Sequence, residues 1–201
     1  MSVHEQRRYD SMVNMIFLCY RSQVDAYAAA LLDHLLSEHF GADNVFRASR
    51  SIKPGEDYRK ALSAAAERSS AMVVIIGQTW MGEFSKEMSP STEKGWVEAE
   101  IEIALLHKVP IIPLLLTHAE RPTLNQLPTE ISALGNLQYL RFDYRNIASD
   151  FSYLRTELSK YLSLEPIPAA EVVEQSISAL ASAVQRLDKS VSSLDERISA
   201  L

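Results

Sequence analysis

With one cysteine, Cys19, in 201 residues, the chain makes no disulfide of its own and builds no Cys-rich metal site. A reducing, cytoplasmic setting fits that scarcity, and Cys19, inside an apolar run, is expected to be a small buried hydrophobe. The histidines, His4, His34, His39, His107 and His118, show no metal-ligand spacing, so no metal site is expected. No apolar run approaches the ~18 residues of a membrane span, and the polar opening MSVHEQRRYD lacks the apolar core of a secretion signal. A Walker-type glycine loop and a G-x-G-x-x-G are both missing, which disfavours a standard dinucleotide fold. No G-x-S-x-G supports Ser/His/Asp catalysis. Positive charge is not in surplus either. A net charge of −6 and a pI of about 5.4 argue against a general binder of nucleic acid or of an anionic membrane.

What is present is globular. Hydrophobic residues at 47% and charged ones at 23% are the proportions of a cored domain, and the length allows one such domain plus an appendage. Short apolar runs predict strands at Asn14–Cys19, Asn44–Arg47, Ala71–Ile76, Val109–Leu116 and Leu137–Phe142. Ala71–Ile76 (AMVVII) is continuously apolar, the mark of a strand covered on both faces. Pro113 predicts a bulge or one-sided pairing in the fourth strand, because proline gives nothing to a ladder. Helical spacing of Tyr27, Leu31, Leu32, Leu35 and Leu36 marks a helix over Val24–Phe40, stopped by Gly41. A loop over Ala48–Glu56 holds the turn signal Pro54-Gly55. Further helices are predicted from Glu56 or Asp57 to Ser69, over Trp96–His107, within Pro122–Leu134 and over Asp150–Leu162. Strands alternating with helices over short connections predict an α/β fold, a five-stranded parallel sheet with helices on both faces. Ligands of such sheets bind beyond the carboxyl ends of the strands. Tyr20-Arg21-Ser22, Ala48–Glu56 and Gly77–Gly95 all leave those ends.

The helix over Trp96–His107 opens at the same rim. Val97, Ile101, Ala104 and Leu105 form its core-facing stripe. Trp96 and Glu100, four residues apart, lie one above the other on one flank. Glu98 and Glu102 fall on the opposite flank and are expected to be solvated. Taken alone, W-x-x-x-E is an amphipathic helix with a surface glutamate.

Beyond a proline-containing hinge at 164–170, the tail 171–201 carries Val173, Ile177, Leu180, Val184, Leu187, Val191, Leu194, Ile198 and Leu201 at spacings of 4 and 3 in alternation. Beta-branched residues at a and leucines at d predict a coiled-coil helix that forms a parallel homodimer. A single helix packed on its own domain is the alternative. Six acidic and three basic residues over 164–201 disfavour a membrane-surface helix.

In order along the chain stand Phe17-Leu18-Cys19-Tyr20-Arg21, Ser51-Ile52-Lys53-Pro54-Gly55-Glu56-Asp57, Val74-Ile75-Ile76-Gly77-Gln78-Thr79-Trp80, Trp96-Val97-Glu98-Ala99-Glu100-Ile101 and Pro110-Ile111-Ile112-Pro113. Together they resemble a Toll/interleukin-receptor (TIR) domain of the bacterial kind, over about residues 13–163. The resemblance implies a flavodoxin-like sheet. It makes Ser51, Lys53, Pro54 and Gly55 part of a loop through which such domains self-associate. Many bacterial and plant members cleave NAD+ at the nicotinamide–ribose bond, releasing or cyclising ADP-ribose, and Glu100 matches their glutamate. At Arg47-Ala48-Ser49 the chain departs from the common bacterial pattern, where an acidic residue often stands. NAD+ is then substrate and no cofactor is implied. On this reading Trp96, Trp80 and Tyr20 are candidate stacking surfaces, and Arg21, Arg47 and Lys53 candidate diphosphate contacts. Activation by self-association in a bacterial defence or signalling response follows from the same resemblance. Two other readings stay open: a non-catalytic assembly adaptor, and a nucleoside deoxyribosyltransferase-like N-glycosidase.

Overall fold

A computed structural model describes residues 14–82 and 95–162. The chain divides into two units, Met1–Leu164 and Glu165–Leu201, and every described residue belongs to the first. The hinge and the heptad tail lie outside the described residues.

Strands β1 (Ile16–Cys19), β2 (Val45–Phe46), β3 (Ala71–Ile76), β4 (Ile111–Leu116) and β5 (Leu140–Phe142) form one sheet in the order β2-β1-β3-β4-β5. All neighbours are parallel. This is the flavodoxin-like order, and its switch point lies between β1 and β3. The helices are α1 (Ala26–Phe40), a single turn α2 (Ala48–Ser51), α3 (Tyr58–Arg68), α4 (Trp96–Leu106) and α5 (Ile147–Ser159).

Side-chain alternation divides the core into two layers. Met72, Val74 and Ile76 of β3 pack with α3 and α4, whereas Ala71, Val73 and Ile75 pack with α1 and α5. All of β3 is buried, which is why its sequence shows no polar alternation. Each fully buried Val or Ile contributes roughly 1.5–3 kcal/mol before entropy is deducted. Pro113 does pair on one side: β4 meets β3 from Ile111 to Leu115 but meets β5 only from Leu114 onward.

Three local readings are corrected. The buried stripe of α1 runs through Ala29, Leu32, Asp33, Leu36 and Phe40, and Tyr27 is 93% exposed. A stripe through Tyr27 and Leu31 would turn Phe40 out of the core and forfeit the close approach that Ala29 permits. The expected loop Ala48–Glu56 begins with the helical turn α2, whose start is closed by the Arg47 N–H donating to Ser51 Oγ at 3.1 Å. The expected helix within Pro122–Leu134 is two 3₁₀ pieces, Leu124–Gln126 and Thr129–Asn136, parted at Pro128, which has no N–H to continue the first.

Candidate active site

The segments leaving β1 and β2 and the starts of α3 and α4 meet at the carboxyl edge of the sheet. They enclose a pocket of about 290 Å³ lined by Tyr20, Arg21, Ser49, Tyr58, Trp96 and Glu100, with Leu18 and Val97 as apolar floor. That volume is at the lower end of ligand pockets, roughly 300–1,000 Å³. It suits part of a dinucleotide better than the whole.

Glu100 lies one turn into α4, pointing back toward the helix start, as the Cα–Cβ tilt requires. Its side chain is buried, and its Oε2 has no hydrogen-bond partner within the fold. Burial pushes its carboxyl up to about 8, against which a hydrogen bond from the Cys19 thiol works in the other direction. Trp96, one turn earlier, is 45% exposed. Tyr58 meets its ring edge-on at 5.2 Å, and the Arg59 guanidinium lies 5.1 Å from the ring centroid. The Tyr58 hydroxyl is pushed up by burial first and by the Glu100 charge second.

The loop after β2 forms the opposite wall and is held by charge. Asp33 on α1 accepts from Arg47 Nε at 2.9 Å and from Arg50 Nη2 at 2.7 Å. Arg47 Nη1 donates to Ser49 Oγ at 2.7 Å, and the Tyr20 hydroxyl is 3.2 Å from the same oxygen. Tyr20 therefore joins the pocket wall to α2. Lys53, Pro54 and Gly55 form an exposed turn. Gly55 has φ of 88°, a left-handed conformation that favours glycine.

Under the rim, Asp25 is buried before the first turn of α1 and its carboxyl is pushed up to about 6 by burial, with the Gly77 N–H and the Arg21 charge opposing. A Cβ at position 77 would overlap Asp25 Oδ1, so a side chain there would push the Asp25 carboxyl off the Gly77 N–H.

Of the residues singled out from the sequence, Glu100, Trp96, Tyr20 and Arg21 share the pocket. Trp80 does not line it. Its ring is fully buried in the core with the Arg21 guanidinium 5.6 Å from its centroid, so it supports Arg21 and offers no face to a ligand. Arg47 is turned to Asp33 and Ser49 and lies behind the wall. Glu98 is buried, contrary to the solvated flank expected of it. Helix α4 packs against α3 and against Thr129–Asn136, so it has less wet surface than an isolated amphipathic helix. Tyr58, Ser49, Arg59 and the Cys19 contact escaped the sequence reading. The available signal was position: each stands at the end of a strand or the start of a helix on the carboxyl side.

The sheet order 2-1-3-4-5 is that of the flavodoxin-like fold. The TIR domain family model matches residues 16–154, so the chain belongs to that family. The TIR domains of the activated Roq1 resistosome, which directly recognises the pathogen effector XopQ, have the same fold. They align at TM-score 0.52 with 14% identity over 73% of this chain and 98% of that one. The TIR domain of the Toll-related receptor TRR-2 from Hydra magnipapillata aligns over 73% of this chain and 96% of that one, at 19% identity and TM-score 0.47. No curated protein matches the chain.

Proposed function

We propose that this domain cleaves NAD+ at the nicotinamide–ribose bond, with Glu100 as its catalytic carboxylate. The observation that carries the reading is Glu100 itself, a carboxyl withdrawn from water with one oxygen unpartnered, facing a pocket walled by Trp96, Tyr58 and Tyr20. Nicotinamide in NAD+ is a pyridinium cation. It departs with the C–N electron pair as a neutral base, so the proton-donating second carboxylate of an ordinary glycosidase is dispensable. Positive charge then develops on the ribose, and a carboxylate beside it stabilises that charge and orients the ribose hydroxyls.

With Glu100 at about 8, the free domain holds it mostly protonated at neutral pH. A pyridinium docked beside it favours the ionised form, so substrate binding and loss of the proton reinforce each other. Attack on the anomeric carbon by water gives ADP-ribose, and attack by an atom of the same nucleotide gives a cyclic isomer. Arg21, which lines the pocket, and Arg59, beside the Trp96 ring, are the proposed contacts of the diphosphate.

Self-association is the proposed control. The turn Lys53-Pro54-Gly55 is presented to solvent, and the heptad tail would raise the local concentration of the domain. The resistosome context of the Roq1 TIR domains is consistent with a domain that acts in assemblies, and with a role in a defence or signalling response. The test is direct. Purified chain is incubated with NAD+ from low to tens of micromolar protein, and nicotinamide, ADP-ribose and cyclic species are resolved by chromatography. Nicotinamide release that rises with protein concentration and is lost in Glu100→Gln supports the reading. No release at any concentration favours the adaptor.

A further inference from the structure

We infer that Ser49 and Tyr20 form a diphosphate contact of the pocket, their paired hydroxyls presenting a hydrogen-bond donor that Arg47 sets from behind the wall. The identity of the ligand rests on the function proposed above; the donor itself does not. Both residues line the pocket, Tyr20 from the segment after β1 and Ser49 from α2. Their hydroxyl oxygens are 3.2 Å apart. Arg47 Nη1 donates to Ser49 Oγ at 2.7 Å. A guanidinium only donates, so Ser49 Oγ is the acceptor there and its own proton is directed elsewhere. Each hydroxyl carries one proton, and their mutual contact uses one of the pair, whichever side donates. The other proton remains, and among the described residues neither hydroxyl has a further acceptor. The wall thus offers a donor to whatever enters the pocket.

Charge decides what that donor suits. Arg47 Nε and Arg50 Nη2 both donate to the Asp33 carboxylate, at 2.9 and 2.7 Å. Two guanidinium groups against one carboxylate leave positive charge behind the wall. Arg47 conveys it to the pocket by polarising the Ser49 hydroxyl. An anionic oxygen gains more from such a donor than a neutral carbonyl does. Glu100 stands on α4, across the pocket from α2, and once ionised it repels an anion. A dinucleotide is therefore oriented with its pyridinium end at Glu100 and a phosphate oxygen at Ser49. Arg47 does not line the pocket itself. It is a positioning residue that acts through Ser49.

The experiment uses the full chain and two probes that divide NAD+ between them. ADP-ribose has the diphosphate and no carboxamide; nicotinamide riboside has the carboxamide and no phosphate. Binding is measured by calorimetry for wild type, Ser49→Ala, Ser49→Thr, Ser49→Ala with Tyr20→Phe, and Arg47→Lys alone and with Ser49→Ala. Ser49→Ala is expected to weaken ADP-ribose binding about tenfold or more, the loss of one hydrogen bond to a charged oxygen. It should leave nicotinamide riboside no weaker than before. Adding Tyr20→Phe deepens the loss, and Ser49→Thr, which keeps the hydroxyl, loses less than Ser49→Ala. Arg47→Lys replaces the fork by a single ammonium. It should weaken ADP-ribose binding by itself and add nothing to Ser49→Ala. Losses that add would overturn the role given to Arg47. An ADP-ribose affinity unchanged in Ser49→Ala with Tyr20→Phe overturns the contact, as does wild type that binds no ADP-ribose. An equal loss for both probes would place the carboxamide at this wall and overturns it too. If wild type binds ADP-ribose yet releases no nicotinamide from NAD+, the cleavage proposed above fails, and the binding data still decide the contact.

Discussion

Asp33 on α1 and Glu100 on α4 are almost equally withdrawn from water, at 5% and 7% exposure, yet the fold surrounds them in opposite ways. Asp33 receives Arg47 Nε and both Nε and Nη2 of Arg50, and Arg50 goes on to the carbonyl of Val45 at 2.6 Å. Glu100 keeps an oxygen unpaired. A buried charge matched by two guanidinium groups, one of them a fork, holds two segments in register. A buried carboxyl left with an unpaired oxygen is costly to ionise, and a positive charge brought beside it lowers that cost. One carboxylate joins two segments of the fold and the other is the one proposed to meet a ligand, and burial alone does not tell them apart.

Substitutions at the two positions should separate these roles. The largest expected effect is that of Glu100→Gln, which should lower NAD+ turnover by roughly 10²-fold or more, as loss of an electrostatic stabiliser does. Chromatographic rates with circular dichroism on the same samples check it.

The same variant should be no less stable than wild type, and its advantage should depend on pH. The folded state holds the Glu100 proton up to about 8 whereas the ordinary carboxyl loses it near 4.5. Between those values the folded state binds more protons, so its stability falls as pH rises through that window. Asp25, at about 6 against 3.8, adds a slope of the same sign lower down. Glu100→Gln should therefore match wild type near pH 4.5 and exceed it at pH 8.5 in urea unfolding. Equal stabilities at both values would contradict the buried, unmatched state of Glu100.

Asp33→Ala should do the reverse, costing stability by about 2 kcal/mol. That is less than the roughly 3–5 kcal/mol of a fully buried pair, because Arg47 and Arg50 keep some contact with water. Activity should fall less than in Glu100→Gln, through the Arg47–Ser49–Tyr20 link to the pocket wall. Smallest of all, Glu98→Gln should leave turnover within about twofold, since Glu98 does not line the pocket. A loss comparable to that of Glu100→Gln would mean the two glutamates act together.

The sheet was legible because its signal is local. β3 is one unbroken apolar run, Pro113 announces its own one-sided pairing, and strand–helix alternation leaves few topologies. Half of the site was legible for the same reason: Trp96 and Glu100 are four residues apart on one helix. What failed depended on neighbours distant in sequence. Trp80 looks like an aromatic in a polar loop, and only packing against the core reveals that it has no free face. Glu98 looks solvated until α3 and Thr129–Asn136 are placed around α4. Arg47 looks like a phosphate ligand until Asp33, fourteen positions earlier, claims it. Cys19 was correctly expected to be buried, but apolar patterning is silent on what a buried sulfur touches.

The chain's one thiol is buried at the end of β1, the strand that leads into the pocket wall. A thiol covered on all sides reacts with an alkylating reagent only when its cover opens, so the rate of modification counts those openings. Cys19 is thus a built-in clock for the parting of β1 from α4, readable by mass spectrometry without any engineered label. Ligands that close the pocket should slow that clock, and crowding that acts only on the exposed Pro54-Gly55 turn should leave its rate unchanged.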